Sequence, residues 1–286
     1  MTKSYRFGLF GHPVKHSLSP VMHAASFRAL GLEAEYLCFD VPPADLAEQL
    51  DARRREGFDG LNLTIPHKEA AVSLMERLDE SARLFGAVNT VRFEPRGPVG
   101  FNTDAAGFLA DLAQSRGVTP AGRRVLILGC GGAGRALAIA CAREGATELL
   151  LANRTVSKAE RVAGDIRRLL PETTDLLRVL PNELAVWTRH CREADLVVQC
   201  TSAGLHAADA PLLTAAAFRP GQLVYDIVYT SRVTPTMRSA LEAGADALNG
   251  AGMLVHQGAA AFTIWTGLAA DTSAMRAALE ARIYGV

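Results

Sequence analysis

Arg124-Val125-Leu126-Ile127-Leu128-Gly129-Cys130-Gly131-Gly132-Ala133-Gly134 decides the fold of much of this chain. An apolar strand runs into G-x-G-x-x-G and then into a helix-forming run from Arg135 to Arg143, the setting a dinucleotide pyrophosphate needs. Gly129 permits a sharp turn, and Gly131 lets a phosphate approach backbone N–H groups with no Cβ in the way. Gly134 lets the helix pack close to the strand, and Gly132 and Ala133 complete the loop. About 20 residues on, the second strand, Glu148 to Ala152, ends in Asn153-Arg154-Thr155, with Lys158 and Arg161 following. A carboxylate commonly stands there to accept the adenosine ribose hydroxyls. A carboxylate would repel a 2′-phosphate, whereas a guanidinium grips one through charge-assisted, often bidentate hydrogen bonds. The pattern therefore predicts NADP rather than NAD. Alone, G-x-G-x-x-G also fits a packing turn and Arg154 a solvated surface arginine; together the features point to a nucleotide site.

A chain of 286 residues with 49% hydrophobic content can bury a sizeable core, and its length suggests two domains. The formal charge is zero, so there is no overall basic field for nucleic acid or an anionic membrane. The five cysteines form no C-x-x-C pair, which predicts reduced, mostly buried thiols, a cytoplasmic location and no metal site. Met1 to Phe10 passes directly into a strand-like run without a secretory pattern. Ala247 to Ala270 lacks Asp, Glu, Lys and Arg over a membrane-spanning length, but Asn249, His256, Gln257 and several glycines make a buried helix lining a polar site the better account.

Working outward from the glycine loop, the spacing predicts two α/β lobes. Residues 105–249 form a Rossmann-type nucleotide domain, with a strand from Arg124, helix Gly132 to Arg143, strand Glu148 to Ala152, helix Val156 to Leu170, and strands Asp195 to Gln199 and Leu223 to Asp226. Residues 1–104 form a lobe with a mainly parallel sheet. Its strands are Phe7 to Phe10, Tyr36 to Phe39 and Gly60 to Leu63, and its helices run from about Val21 to Leu30, from about Asp45 to Glu56 and from about Lys68. Two further helices, about Leu254 to Gly267 and Ser273 to Ile283, close the chain.

Polar groups cluster at strand ends of the first lobe, where open α/β sheets bind ligands. Ser17 and Ser19 precede a helix start, and hydroxyls with free N–H groups there suit a carboxylate; Ser19 also reads as an N-cap with Pro20 at N1. Asn62 and Thr64 share one face of a strand, and Lys68 falls near the next helix start, where the peptide dipole disfavours a cation by up to about 1 kcal/mol, a common device for acid/base lysines. Asn89-Thr90 and Asn102-Thr103-Asp104 add amides, hydroxyls and a carboxylate. Each also reads as an Asx or ST turn, with Asp104 an N-cap, and Lys68 as a surface lysine. Hydride exchange at an alcohol carbon needs a proton partner at the oxygen, and a Lys–Asp couple supplies one.

With these segments in hand the chain resembles the shikimate dehydrogenases over nearly its whole length. The resemblance rests on Gly11-His12-Pro13-Val14-Lys15-His16-Ser17-Leu18-Ser19-Pro20, Asn62-Leu63-Thr64-Ile65-Pro66-His67-Lys68 and Gly86-Ala87-Val88-Asn89-Thr90. It continues through Asn102-Thr103-Asp104, the glycine loop, Asn153-Arg154-Thr155 and Gly252-Met253-Leu254-Val255-His256-Gln257-Gly258-Ala259. It implies an NADP-dependent exchange of hydride between 3-dehydroshikimate and shikimate at the ring C3 alcohol or ketone, in aromatic amino-acid biosynthesis. Ser17 and Ser19 would hold the substrate carboxylate, and Asn62, Thr64, Asn89, Asp104 and Gln257 the ring hydroxyls. Lys68 and Asp104 would be the catalytic pair, and Tyr229 would line the pocket. On the cofactor side it implies Gly129, Gly131, Gly132, Ala133, Gly134, Asn153, Arg154, Thr155, Lys158, Thr201 and Gly252. The final helices, 250–286, would complete the first, substrate-binding lobe, across a cleft from the cofactor, in a monomer or homodimer.

The chain departs from the family pattern at Gln199, where Asn is common, at Thr230-Ser231, where Asn-Pro is common, and at Ala105, where Gly is common. Two other readings remain: a quinate/shikimate dehydrogenase with relaxed cofactor use, which the absence of an acid at Asn153-Arg154-Thr155 argues against, and a non-catalytic ligand sensor, against which stand Lys68 and Asp104.

Overall fold

Tyr5-Arg6-Phe7-Gly8-Leu9-Phe10-Gly11 forms strand β1 (Tyr5–Gly11), whose last five residues are buried because parallel neighbours flank it on both sides. The computed structural model describes residues 4–206 and 208–285. It divides into two compact units, Met1–Gly107 with Leu254–Val286, and Phe108–Met253.

In the first unit β1 pairs in parallel with β2 (Ala34–Asp40) and β3 (Gly60–Leu63). The sheet then turns antiparallel through β5 (Thr90–Glu94) and β6 (Gly97–Phe101), which carries the short parallel edge strand β4 (Arg77–Leu78). The sheet is thus mainly parallel, as the spacing predicts, with an antiparallel insertion at β5. Thr90-Val91-Arg92-Phe93-Glu94 alternates in the manner of a strand, and Pro95-Arg96 with Gly97 at φ +153° turns it back, a hairpin that the reading of Asn89-Thr90 and Asn102-Thr103 as turns passed over. Helices α1 (Ser19–Ala29), α2 (Leu46–Arg55), α3 (His67–Ala70) and α4 (Glu80–Phe85) connect the strands. One core joins Phe10, Leu61, Leu63 and Val91 to Leu46 and Leu50 of α2. Elsewhere in the unit Phe7 stacks on Trp265 at 4.6 Å and on Phe27 at 5.6 Å, and Trp265 Nε1 donates to the Val91 carbonyl at 2.9 Å. These contacts explain why the C-terminal part of the chain returns to this unit: α10 (Ala251–Thr266) carries Trp265, and α11 (Thr272–Tyr284) packs on α1.

The second unit holds a six-stranded, wholly parallel sheet ordered β12-β11-β10-β7-β8-β9, which in chain order is 3-2-1-4-5-6 read from β9. Its strands are β7 (Arg124–Leu128), β8 (Glu148–Ala152), β9 (Leu177–Val179), β10 (Leu196–Gln199), β11 (Leu223–Asp226) and β12 (Asp246–Asn249). Its helices are α6 (Gly132–Arg143), α7 (Val156–Leu169), α8 (Leu184–Glu193) and α9 (Pro235–Glu242). This is the Rossmann arrangement. The elements absent from the sequence reading, β9, α8, α9 and β12, are short; α9 nevertheless carries a start signal in Thr234, whose side chain accepts from the Met237 N–H, followed by Pro235. The division between units falls inside α5 (Asp104–Arg116) and α10, at 107/108 and 253/254, within a helical turn or so of the 104/105 and 249/250 joints drawn from the motifs, and both helices run on through it. Among the described residues no helix is long and apolar enough to cross a membrane.

Gly60 faces Trp265, and a Cβ there would lie 2.5 Å from the Val91 carbonyl oxygen. Gly60→Ala is expected to cost about 1–3 kcal/mol through this overlap, seen as a lower thermal midpoint; a midpoint equal to wild type would show that β5 yields freely.

Candidate active site

In the first unit the strand ends bring together a set of side chains that are far apart in sequence. Lys68 Nζ lies 2.6 Å from Asp104 Oδ2, and the two side chains retain 28% and 14% exposure, enough for a ligand to reach both. Asp104 is aimed by two bonds: Asn89 Nδ2 donates to Oδ1 at 2.9 Å, and the Asp104 N–H donates to Asn102 Oδ1 at 3.1 Å. Asn102 thus meets the first N–H of α5, while Thr103, whose carbonyl accepts from the Gly107 N–H, stands at the N-cap in place of Asp104. Lys68 is fixed through its backbone, whose carbonyl accepts from the Val88 N–H at 2.8 Å. The helix expected at Lys68 is one turn, His67–Ala70, followed by a 3-10 turn, so a macrodipole has little length on which to act and the lysine's partner is the carboxylate instead. His67 is buried with Nε2 2.9 Å from the Val41 carbonyl, and burial lowers its pKa, which makes it a neutral structural residue.

Asn89 is buried and its amide is used at both ends: Oδ1 accepts from the Thr103 N–H at 2.9 Å and from Thr90 Oγ1 at 3.0 Å, while Nδ2 reaches Thr103 Oγ1 as well as Asp104. Gln257 Oε1, on α10, lies 3.5 Å from both Asn89 Nδ2 and Thr103 Oγ1. Asn62 donates to the Asn89 carbonyl and to Thr90 Oγ1, each at 3.1 Å, and accepts from Tyr36 Oη at 2.8 Å. Thr64, half-buried, sits over Gly11, where a Cβ would lie 2.6 Å from the threonine methyl. The Ser17 and Ser19 hydroxyls are 3.3 Å apart. The N-cap of α1 is Leu18 rather than Ser19, and its first-turn amides are already engaged: the Ser19 N–H donates to Ser17 Oγ at 3.3 Å, Pro20 has no N–H, and the Val21 N–H donates to the Leu18 carbonyl, so an anion here would be met by the two hydroxyls. Tyr36 and the bonding roles of Thr90 and Thr103 were missed from sequence. The alternation of β2 marks Tyr36 as a strand residue but not what its hydroxyl meets.

In the second unit the C-terminal ends of β7, β8 and β10 open on a cavity of about 680 Å³. It is lined by Gly129, Gly131, Asn153, Arg154, Thr155, Lys158 and Thr201 from the predicted set, and also by Asn182, Leu184, Trp187 and Leu212, which lie in or beside segments passed over in the sequence. Gly129 has φ +99°, and a Cβ on Gly134 would overlap the Gly129 carbonyl, so these two glycines are fixed by the turn and by the helix-strand contact. A Cβ on Gly131 or Gly132 would meet nothing within 4 Å, and α6 has no side-chain cap. No protein contact requires glycine at these two, whereas phosphate oxygens approaching the backbone N–H groups would. Arg154 and Lys158 are exposed on the wall and can pair with a 2′-phosphate. The residues thus fit NADP. Asn153 serves the loop: its Oδ1 accepts from the Cys130 N–H at 2.9 Å and its Nδ2 donates to the Thr155 carbonyl at 2.8 Å. Gly252 is not among the lining residues; a Cβ there would overlap the Asp111 carboxylate, which accepts from Tyr225 Oη at 2.7 Å. Tyr229 follows β11 in this unit and is half-buried.

The departures from the family pattern have local partners. Gln199 is fully buried; its Oε1 accepts from the Thr201 N–H at 2.5 Å, and its Nε2 donates to the Ala203 carbonyl at 2.9 Å. Beside it burial raises the Asp226 carboxyl to about 6, against hydrogen bonds from Thr234 at 2.6 Å and the Val228 N–H at 3.0 Å. Thr230 Oγ1 donates to the Leu205 carbonyl at 2.7 Å, Ser231 Oγ to the Val233 carbonyl at 3.1 Å, and Ala105 is buried. All five cysteines are free, three of them buried.

An α/β protein of two units, one a Rossmann-type NADP-binding domain, is the class these features define. Residues 9–91 match the shikimate dehydrogenase substrate binding domain and residues 250–280 the shikimate 5'-dehydrogenase C-terminal domain, while 125–256 match the saccharopine dehydrogenase NADP binding domain. A shikimate dehydrogenase (NADP(+)) of Methanopyrus kandleri is 45% identical over 275 residues, 95% of this chain and 93% of that protein. A crystal structure of shikimate dehydrogenase in complex with NADP+ superposes with a TM-score of 0.90 at 34% identity, covering 99% of this chain and 98% of the other. The shikimate 5-dehydrogenase of Thermus thermophilus, in complex with NADP(H) and shikimate, gives 0.85 at 39% identity over 96% of this chain and 98% of the other. The chain belongs to the shikimate dehydrogenase family.

Gly131→Ala is expected to melt as wild type does, since its Cβ meets no protein atom, yet to raise KM for NADP by about tenfold or more by standing where phosphate must approach. Wild-type KM in that variant would remove the pyrophosphate from this loop.

Proposed function

We propose that the protein interconverts 3-dehydroshikimate and shikimate with NADP, in aromatic amino-acid biosynthesis, exchanging hydride at the ring C3 carbon. The observation that carries this reading is the Lys68–Asp104 pair, 2.6 Å apart and partly open to solvent among the amides and hydroxyls of Asn62, Thr64, Asn89 and Gln257, in a chain whose other unit carries the NADP groove. The names of its relatives support the same substrate and cofactor.

When bound, the nicotinamide supplies or accepts the hydride. The chain's own residues do the rest. The Ser17 and Ser19 hydroxyls receive the substrate carboxylate, which fixes one end of the ring. Asn62, Thr64, Asn89 and Gln257 bind ring hydroxyls, so that the reacting oxygen meets Lys68 and Asp104. On oxidation the hydroxyl proton passes to the Lys68–Asp104 pair, and on reduction it returns from the pair to the new alkoxide. Asn89 keeps Asp104 turned toward Lys68 throughout. On the nucleotide side Arg154 and Lys158 favour a 2′-phosphate, and among the described residues no acidic side chain lines the cavity to hold free ribose hydroxyls. This supports NADP over NAD. The Lys68–Asp104 contact itself favours an enzyme over a ligand sensor.

Purified protein given shikimate or quinate with NADP or NAD, in all four combinations, is expected to reduce nucleotide fastest with shikimate and NADP; activity confined to quinate and NAD would replace this reading. Lys68→Ala is expected to lower kcat by at least about a hundredfold with the dissociation constant for shikimate little changed, as befits a group acting in the transition state. Retained kcat would take Lys68 out of the mechanism. Arg154→Ala is expected to raise KM for NADP and narrow its advantage over NAD, and equal effects on both nucleotides would remove the phosphate clamp.

A further inference from the structure

Gln199, the last residue of β10, is fully buried, yet both ends of its amide are directed at the turn that follows it. Its Oε1 accepts from the Thr201 N–H at 2.5 Å, and its Nε2 donates to the Ala203 carbonyl at 2.9 Å. A backbone N–H only donates and a carbonyl only accepts, so these two partners decide which way the amide faces. Behind it Asp226, fully buried on the neighbouring strand β11, accepts from the same Nε2 at 3.4 Å. That carboxylate is held in turn by the Val228 N–H and the Thr234 hydroxyl, so the amide is backed by a fixed acceptor.

The turn shaped in this way is a wall of the nucleotide cavity, which Cys200, Thr201, Ser202 and Ala203 all line. The Cys200 N–H continues the ladder to the Leu128 carbonyl at 2.7 Å, and the Ala203 N–H donates to Thr201 Oγ1 at 3.1 Å. Thr201 lies against the glycine loop, where a Cβ on Gly129 would stand 2.7 Å from its methyl. In the strand order of this unit β7, β8 and β9 form one mononucleotide half, and β10, β11 and β12 form the other. Arg154 and Lys158 follow β8 and belong to the half that takes adenosine, whereas the 200–203 turn follows β10 and belongs to the half that takes nicotinamide.

We propose that Gln199 is a positioning residue for the cofactor: its side-chain amide holds the 200–203 turn in the shape that receives the nicotinamide half of NADP, and it takes no part in gripping the adenosine phosphate. The inference rests on the reading of this cavity as the NADP groove. Without the amide, the Thr201 N–H and the Ala203 carbonyl lose these partners. The turn must then be ordered anew at each binding event, which weakens affinity for the half of the ligand that meets it.

The experiment compares wild type, Gln199→Met and Gln199→Asn by calorimetry with two ligands, NADP and adenosine 2′,5′-bisphosphate, which carries the adenosine half alone. Gln199→Met keeps the length of the side chain and removes the amide. It is expected to weaken NADP binding about tenfold and to leave the bisphosphate within about twofold of wild type, which also shows the variant to be folded. Gln199→Asn, which keeps an amide, is expected to bind NADP within about threefold of wild type. Wild-type affinity of Gln199→Met for NADP, a parallel loss of both ligands, or equal losses in the two variants overturns the proposal. The wild-type protein supplies a check that needs no variant. Without nucleotide its Thr201 amide is expected to exchange with solvent at least about a hundredfold more slowly than an unstructured amide, and exchange at the unstructured rate overturns the proposal as well. Wild-type protein that binds neither ligand would instead overturn the reading of the cavity, so the two failures are distinguishable.

Discussion

A buried amide governs the first unit. Asn89 has two donors and an acceptor with two lone pairs, and burial makes every unmet one costly, by about 1–3 kcal/mol each. The chain meets them with Thr90, Thr103, Asp104 and Gln257, drawn from β5, the α5 entry and α10. The geometry at Lys68 and Asp104 follows from this satisfaction. The carboxylate points at the ammonium with its other oxygen held by the Asn89 amide.

The second unit is organised by close approach of backbone. Gly134 brings α6 down onto the Gly129 carbonyl, and Gly252 lets α10 begin against Asp111, so two helices start where any side chain would hold them away. The wholly parallel sheet, buried on both faces, accounts for the unbroken apolar runs of β7, β8 and β10. At the reversal of strand order between β7 and β10 the loops diverge and leave the cavity that the basic end of β8 borders.

The Rossmann order was legible because its signals are local: the glycine loop, the run Arg124 to Leu128 and the end at Asn153-Arg154-Thr155 each state their own conformation. Boundaries of β3, α6, β8 and β11 fall where the pattern put them. The β5–β6 hairpin was not legible, because Asn-Thr dipeptides fit turns and strand ends alike. Nor were β9 and α8, where three strand residues and ten helical ones fall below what periodicity resolves. In the site the polar side chains were visible one by one, but their bonding was not. That Tyr36 meets Asn62 is a fact of register between strands, which no single segment encodes.

The basic wall of the nucleotide cavity is made of solvent-exposed side chains, whereas the amides of Asn62 and Asn89, which we propose meet the ring hydroxyls, are buried. Mobile ions screen exposed charges over a Debye length of about 8 Å at physiological ionic strength and scarcely touch enclosed neutral dipoles. Preference for the phosphorylated nucleotide is therefore a property of the medium as much as of the fold, softening in brine and sharpening in dilute buffer, while recognition of the ring stays indifferent to salt.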